Sequence, residues 1–452
     1  MLEKILRLPV HLASVLLGAS LLSASPSDKP WTHQKILNEV EIINRSVRVD
    51  QLPGGLSLRS QLGLVTASQL NGRIIHRALS TLYETRCEIM PNGDFLLMFP
   101  DGVHYAHAEH EKMNDLVAYR STDQGRTWQG PTVPIDIPYN LHGFVPLKPK
   151  GSNRIYCFGT QPVLGRPDLY NPSIHTEVEN APIGFRWSDD NGYTWSDVTL
   201  IRPENDPTFK GMSVVRMCET ESGVWLIGAH AANFKERPIK TEQYILRSTD
   251  QGKTWRVYPD ARPGGWQAAD TSRMDETTLV SLGGEEVVGL SRTPTGYLWT
   301  IRSLDGGLTW DKPKPTPLEH PDAPAMMFLL SDKKTLMVLH HNRFSAKDLP
   351  PEQRTDLGAE HPGMRDRAQV WVSLSRDGGR TWDEPRFLFC NALQPYEENL
   401  FRNYQCSYID VVIDHGIVHF FVPHRWNRVV HLSMAESEIV KLPHQSTLVG
   451  KR

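Results

Sequence analysis

One octet, Ser-x-Asp-x-Gly-x-Thr-Trp, occurs five times in the chain: Ser121–Trp128, Ser188–Trp195, Ser248–Trp255, Ser303–Trp310 and Ser375–Trp382. Its aspartates, Asp123, Asp190, Asp250, Asp305 and Asp377, are 67, 60, 55 and 72 residues apart. Five copies at this regularity mark a repeat architecture, in which each unit buries its apolar face against the next. Within the octet, Asp accepts hydrogen bonds from backbone N–H groups two residues on, and Gly supplies a positive φ. Thr and Trp then open the next strand, with Trp packing on neighbouring strands. The octet therefore predicts a β-hairpin turn, and its aspartates are read as structural.

Strand-like runs flank the octets at Leu116–Arg120, Val133–Ile137, Tyr244–Arg247, Tyr297–Arg302 and Val370–Leu374. Further runs lie between them at Phe95–Phe99, Arg154–Gly159, Val224–Gly228, Val287–Leu290 and Thr335–Leu339, several after turns such as Asn92-Gly93 or Ser222-Gly223. Each period thus holds about four short strands, the content of one propeller blade.

Composition narrows the class. With 39% hydrophobic and 22% charged residues in 452, the chain is globular. A net charge of -3 gives no basic field for nucleic acid. The N-terminus has the order of an export signal: Lys4 and Arg7, an apolar stretch from Leu8 to Leu22, then Ser23-Ala24-Ser25. Cleavage is expected near Ala24 or Ser25, so residues 1–25 are assigned to the signal and the mature chain to a secreted or periplasmic location. No later apolar run is long enough to span a bilayer. The five cysteines show no CxxC pair. His104, His107 and His110 recur every three residues, but in a Gly-containing loop with no helical run, so no metal site is assigned.

The octet is the Asp box, and on it the chain resembles the sialidase superfamily. The resemblance runs from about Glu84 to Arg428. It implies an all-β, six-bladed β-propeller over 80–440, five blades carrying a box and the sixth closed by pairing N- and C-terminal strands. Residues 26–79 are expected to form a lead-in and an outer strand, and 441–452 a tail. Phe344–Arg367 reads as a long blade insertion.

The resemblance also implies a site. Sialidase chemistry needs arginines to hold the substrate carboxylate. It uses a neutral Tyr activated by Glu, because a carboxylate nucleophile would repel the anionic sugar. A separate acid protonates the leaving oxygen. Arg86, at the head of an apolar strand, matches the first clamp arginine. In the run from Asp275 through the Gly283-Gly284 turn to Arg292, Glu276 matches the Tyr activator and Arg292 the second arginine. Arg367 is the third candidate, with Arg343 and Arg365 as rivals. Tyr408, which opens the last-blade strand, matches the nucleophile, with Tyr404 the nearest alternative. No Asp stands in the family's acid/base register before the first box; Glu111 is assigned that role, beside His110 and Glu109. His142, in Asn140-Leu141-His142-Gly143, matches no sialidase motif; a His-Gly at the start of a blade places it in the central funnel as a substrate-binding residue.

Three functions remain open. The first is a retaining exo-glycosidase that removes α-linked sialic acid or a related acidic sugar from glycans, acting as a monomer without a cofactor. The second is a uronate polysaccharide lyase using His142 and Tyr408. The third is a propeller that binds glycans without cleaving them, since fold does not fix function.

Overall fold

The computed structural model describes residues 70–77 and 84–449, apart from 103–113, 136–143, 161–180, 213, 234–235, 237–238, 270, 325, 343–366, 368, 392–405 and 425–427. It also describes strand segments before residue 70 and at 81–82. The expected export signal lies outside the described residues, as do Glu111, His142, Arg343, Arg365, Tyr404 and nearly all of the insertion expected at Phe344–Arg367.

Six sheets follow one another along the chain as blades, beside a two-stranded hairpin of Asp50–Leu52 and Gly55–Ser57. Blade four shows the pattern. Asp275–Gly283 is its innermost strand, followed by Glu286–Arg292, Tyr297–Ser303 and Lys314–Glu319, each paired antiparallel with the one before. Blade six is completed from the other end of the chain. Asp410–Asp414, Ile417–His424 and Arg428–Ala435 are joined by Asn71–Arg77, with Arg428 opposite Arg77. Blade five is wider than the rest, because Leu64–Thr66 pairs with Arg386–Asn391 and carries Val40–Asn44 and Thr32–Ile36 beyond it. Among the described residues helix is confined to Glu436–Lys441 and Gln445–Val449, and no helix is long and apolar enough to cross a membrane.

All five boxes form the same turn. In blade four, Ser303 Oγ donates to Asp305 Oδ1 at 2.8 Å and accepts from Gly307 N at 2.8 Å. Asp305 accepts from Thr309 N at 2.9 Å and from Thr309 Oγ1 at 2.6 Å. The aspartate therefore reaches four residues on rather than the expected two, and the serine takes the Asp N–H. The same bonds recur in the other boxes. Burial alone would raise these carboxyls, but the Thr and Ser bonds to the ionised form outweigh it and hold Asp190 and Asp377 at about 2.

The boxes also seat one blade on another. Gly192 has a φ of 80°, and a Cβ there would stand 2.5 Å from Leu96 of blade one. The positive φ favours glycine, and a side chain there would have to displace the Leu96 methyl. Trp128 meets Phe421 and His431 of blade six edge to face, with ring centroids 5.6 and 5.8 Å apart. Strand direction fixes where the boxes lie. In blade four the innermost strand starts at Asp275, opposite Arg292, whereas the box starts at Ser303, at the far end of the third strand and beside Val287. The strand Tyr297–Ser303 separates the two ends by about 20 Å.

Candidate active site

The ends of the innermost strands opposite the boxes carry a buried polar cluster. Tyr408 Oη donates to Glu276 Oε1 at 2.7 Å. The other Glu276 oxygen, Oε2, accepts from Arg292 Nη1 at 2.7 Å. Arg292 Nε donates to Asp322 Oδ1 at 2.6 Å, and Arg273 Nη1 donates to Asp322 Oδ2 at 3.0 Å. Arg273 Nη2 also reaches Asp275 Oδ2, at 3.0 Å. Arg367 Nη2 donates to the Asp322 carbonyl at 2.5 Å, and its Nη1 approaches Ser407 Oγ at 3.4 Å. Tyr408, Glu276, Arg292, Arg367, Asp322, Arg273 and Asp275 are all buried.

Local backbone explains why these side chains meet. Between Asp275 and Thr278 the pairing with the next strand slips by one residue, a bulge that leaves Glu276 at φ 46°. Bulges re-aim side chains in this way. Tyr408 stands at φ 62° two residues before its strand begins, and Glu84 stands at φ 55° two residues before Arg86. A non-glycine residue in the left-handed region is uncommon and persists only where its surroundings over-determine it. Thr85 supplies part of that determination: its Oγ1 donates to the Phe421 carbonyl at 2.7 Å and approaches the Tyr408 carbonyl at 3.4 Å. Two residues past Tyr408, Asp410 accepts from Cys87 N at 2.8 Å and from Arg216 Nη1 at 2.6 Å, tying blades one and six to the entry of blade three.

The electrostatics follow from burial among opposite charges. Burial first, and then the Glu276 charge, push the Tyr408 phenol well above its ordinary 10, against the opposing pull of Arg292 and Arg367. Tyr408 is therefore protonated and is the donor to Glu276. Burial would lower Arg292, but Asp322, Glu276 and Asp275 together raise it well above its usual value. Arg367 has no such surplus of acids; burial and repulsion from Arg292 bring it down to about 10.

Three of the expected residues, Tyr408, Glu276 and Arg292, are thus joined by direct hydrogen bonds. Arg367 joins them through Asp322 and Ser407. Arg86 is more remote. Its Nε donates to the Val215 carbonyl at 3.1 Å and its Nη1 to the Thr85 carbonyl at 2.8 Å, with the Tyr408 carbonyl 3.5 Å away. Its Nη2 is buried without a partner among the described residues. Sequence reasoning missed Asp322, Arg273 and Glu84. Asp322 lies in His320-Pro321-Asp322-Ala323-Pro324, where two prolines bracketing an acid were the available signal. Arg273 stands two residues before the acid pair Asp275-Glu276, and no motif marked it. Among the described cysteines, Cys87, Cys157 and Cys218 are free and buried, and Cys406 is buried as well.

The family model of the BNR repeat-like domain matches residues 168–420, more than half of the chain. A sialidase of Micromonospora viridifaciens is 25% identical over 341 residues, 65% of this chain and 44% of that protein. The chain thus spans less than half the length of this curated relative. Among solved structures, a Dyadobacter fermentans protein of unknown function superposes with a TM-score of 0.56 at 16% identity, over 81% of this chain and 99% of its own. The NanB sialidase of Streptococcus pneumoniae gives 0.54 at 12% identity, over 81% and 70%. The leech intramolecular trans-sialidase gives 0.52 at 14%, over 82% and 71%. At these identities the structural likeness establishes the propeller fold alone. Taken with the five boxes and the six blades, the family match shows that the chain belongs to the BNR repeat-like family, as a divergent sialidase-like propeller.

Proposed function

We propose that this propeller is an exported, retaining exo-glycosidase that removes a terminal acidic sugar of the sialic acid class from glycans. The observation that carries the reading is the buried Tyr408–Glu276 hydrogen bond of 2.7 Å, with the far oxygen of Glu276 held by Arg292. A phenol that cannot ionise alone becomes a nucleophile when a carboxylate takes its proton during attack. Tyr408 Oη attacks the anomeric carbon and passes its proton to Glu276, while the glycosidic bond breaks and its oxygen is protonated by the acid, assigned to Glu111. Water then gives a proton back to that residue and attacks the same carbon. Tyr408 Oη leaves and recovers its own proton from Glu276. Two inversions give retention, and one water is consumed per bond. Arg292, Arg367 and Arg86 form the carboxylate clamp, and His142 contributes to the funnel.

The lyase reading requires Tyr408 or His142 to remove a carbon-bound proton. A phenol raised well above 10 and already donating to a carboxylate is a poor resting base, which favours hydrolysis. The test is mass spectrometry of products after incubation with sialylated and uronate-rich glycans. Hydrolysis predicts a free acidic monosaccharide carrying the mass of one added water. Unsaturated uronate fragments, or no product from any glycan, would sink the proposal.

A further inference from the structure

Arg292 makes an unusual choice of bonds. Arginine and a carboxylate prefer to pair through two parallel N–H bonds. Arg292 instead divides its hydrogen bonds between two acids, giving Nη1 to Glu276 Oε2 at 2.7 Å and Nε to Asp322 Oδ1 at 2.6 Å, with Asp275 Oδ1 farther from the same Nε at 3.5 Å. The consequence lies one atom away: Glu276 Oε1 is left to accept the Tyr408 hydroxyl.

We propose that Asp322 is a positioning residue: its carboxylate anchors the Nε edge of Arg292, so that the guanidinium cannot swing into a two-bond fork onto Glu276 that would draw Oε1 away from Tyr408. The inference rests on the reading of Glu276 as the base for Tyr408. Asp322 is itself firmly placed. Its side chain is 0% exposed, and its second oxygen accepts from Arg273 at 3.0 Å. Pro321 and Pro324 restrict the backbone on either side. His320 Nε2 lies 2.9 Å from the Ala323 carbonyl, and His320 Nδ1 accepts from His341 N at 3.1 Å, so the ring donates at Nε2 and pins the loop. Through its own carbonyl, Asp322 also takes Arg367 Nη2 at 2.5 Å. One residue therefore orients two of the three candidate clamp arginines without occupying the position of either Tyr408 or Glu276.

The test compares the full-length protein with Asp322→Asn, which keeps the shape but loses the charge that competes for Arg292. Tyrosine labelled with 13C at Cζ reports hydrogen bonding of each phenol, and Tyr408→Phe assigns the Tyr408 resonance. In Asp322→Asn this resonance moves toward its position in Glu276→Gln, and kcat falls about 10- to 100-fold. Arg292→Lys provides the control, because an ammonium cannot form the planar fork. In that background Asp322→Asn leaves the Tyr408 resonance where Arg292→Lys alone puts it. A folded Asp322→Asn protein with the wild-type resonance overturns the proposal, as does a further shift in the lysine background. Should Asp322→Asn not fold, Asp322→Glu, which keeps the charge but displaces it by one methylene, is read in the same way. The resonance needs no substrate, so a wild-type protein that cleaves nothing would count against the proposed activity while the spectrum still decides the role of Asp322.

Discussion

At the scale of single residues, the division of labour proposed for Tyr408 and Glu276 can be tested by changing one polar atom at a time. Glu276→Gln keeps the shape of the acceptor but cannot take a proton in exchange for the attacking oxygen. It should lower kcat by about 10²–10⁴-fold, the usual range for a positioned acid or base. Tyr408→Phe removes the oxygen proposed to attack and should cost at least as much. Turnover of acidic glycosides by either variant within about tenfold of wild type would refute the assignment. Much of this cluster is legible because it rides on order along the chain: a Glu and an Arg bracketing a hairpin before the fourth box, and a Tyr at the head of the last blade. What is not legible has no linear signature. Asp322 and Arg273 are partners of other charges, brought together from separate loops, 49 residues apart. The left-handed backbone of Glu84, Glu276 and Tyr408 is equally silent, because none of these residue types advertises a positive φ.

At the scale of the element, the box is a stabilising device remote from the chemistry, so damage to it should separate stability from activity. Ser303 Oγ serves Asp305 and Gly307 at once, on a buried residue. Ser303→Ala would leave those groups short of a partner and should reduce stability by about 1–3 kcal/mol. Thermal unfolding should show the loss, and activity per folded molecule should not fall. A change in kcat without a change in unfolding would overturn that separation. The strands themselves are readable from apolar runs between turns, but their starts are not. The run expected from Val133 begins at Gln129, because the box turn closes at Trp128 and pairing resumes at once, with Gln129 opposite Arg120. The strands before residue 70 are unreadable for another reason. They are short, and Leu64–Thr66 finds its partner in Arg386–Asn391, more than 300 residues away, so local pattern cannot name it.

At the scale of the whole molecule, the ring is closed by the strand Asn71–Arg77, and His76 bolts that closure to blade one. Its Nε2 lies 2.7 Å from Asp101 Oδ2 and its Nδ1 2.9 Å from Tyr119 Oη. His76→Ala should therefore cost about 1.5–3 kcal/mol, seen as a lower unfolding midpoint, and an unchanged midpoint would mean the strand pairing closes the ring unaided. The same packing of blade on blade makes the fold sensitive to acid. Burial holds His340 and His419 down to about 4 and His341 to about 3, and depresses His320 and His431 as well. These five rings stay neutral in the folded chain, whereas in the unfolded chain they take up protons below about pH 6.5. The unfolded state then binds more protons, so their contribution to stability is full above about pH 6.5 and falls as the pH drops toward 4. Each ring can contribute up to about 2 kcal/mol of that loss between about pH 6.5 and pH 5. Glu88, whose carboxyl burial raises, works in the opposite direction, but it is one group against five. Below about pH 4 the box aspartates add a second loss, because Asp190 and Asp377 are held ionised down to about 2 and the unfolded carboxylates are not. Unfolding midpoints measured at fixed ionic strength should thus decline steadily from about pH 7 to pH 5, before the box carboxylates titrate. His340→Gln should flatten that slope by one ring's share. A midpoint that stays level over this range would mean that the buried rings take up protons in place, and that the seams between blades are wetter than their packing implies.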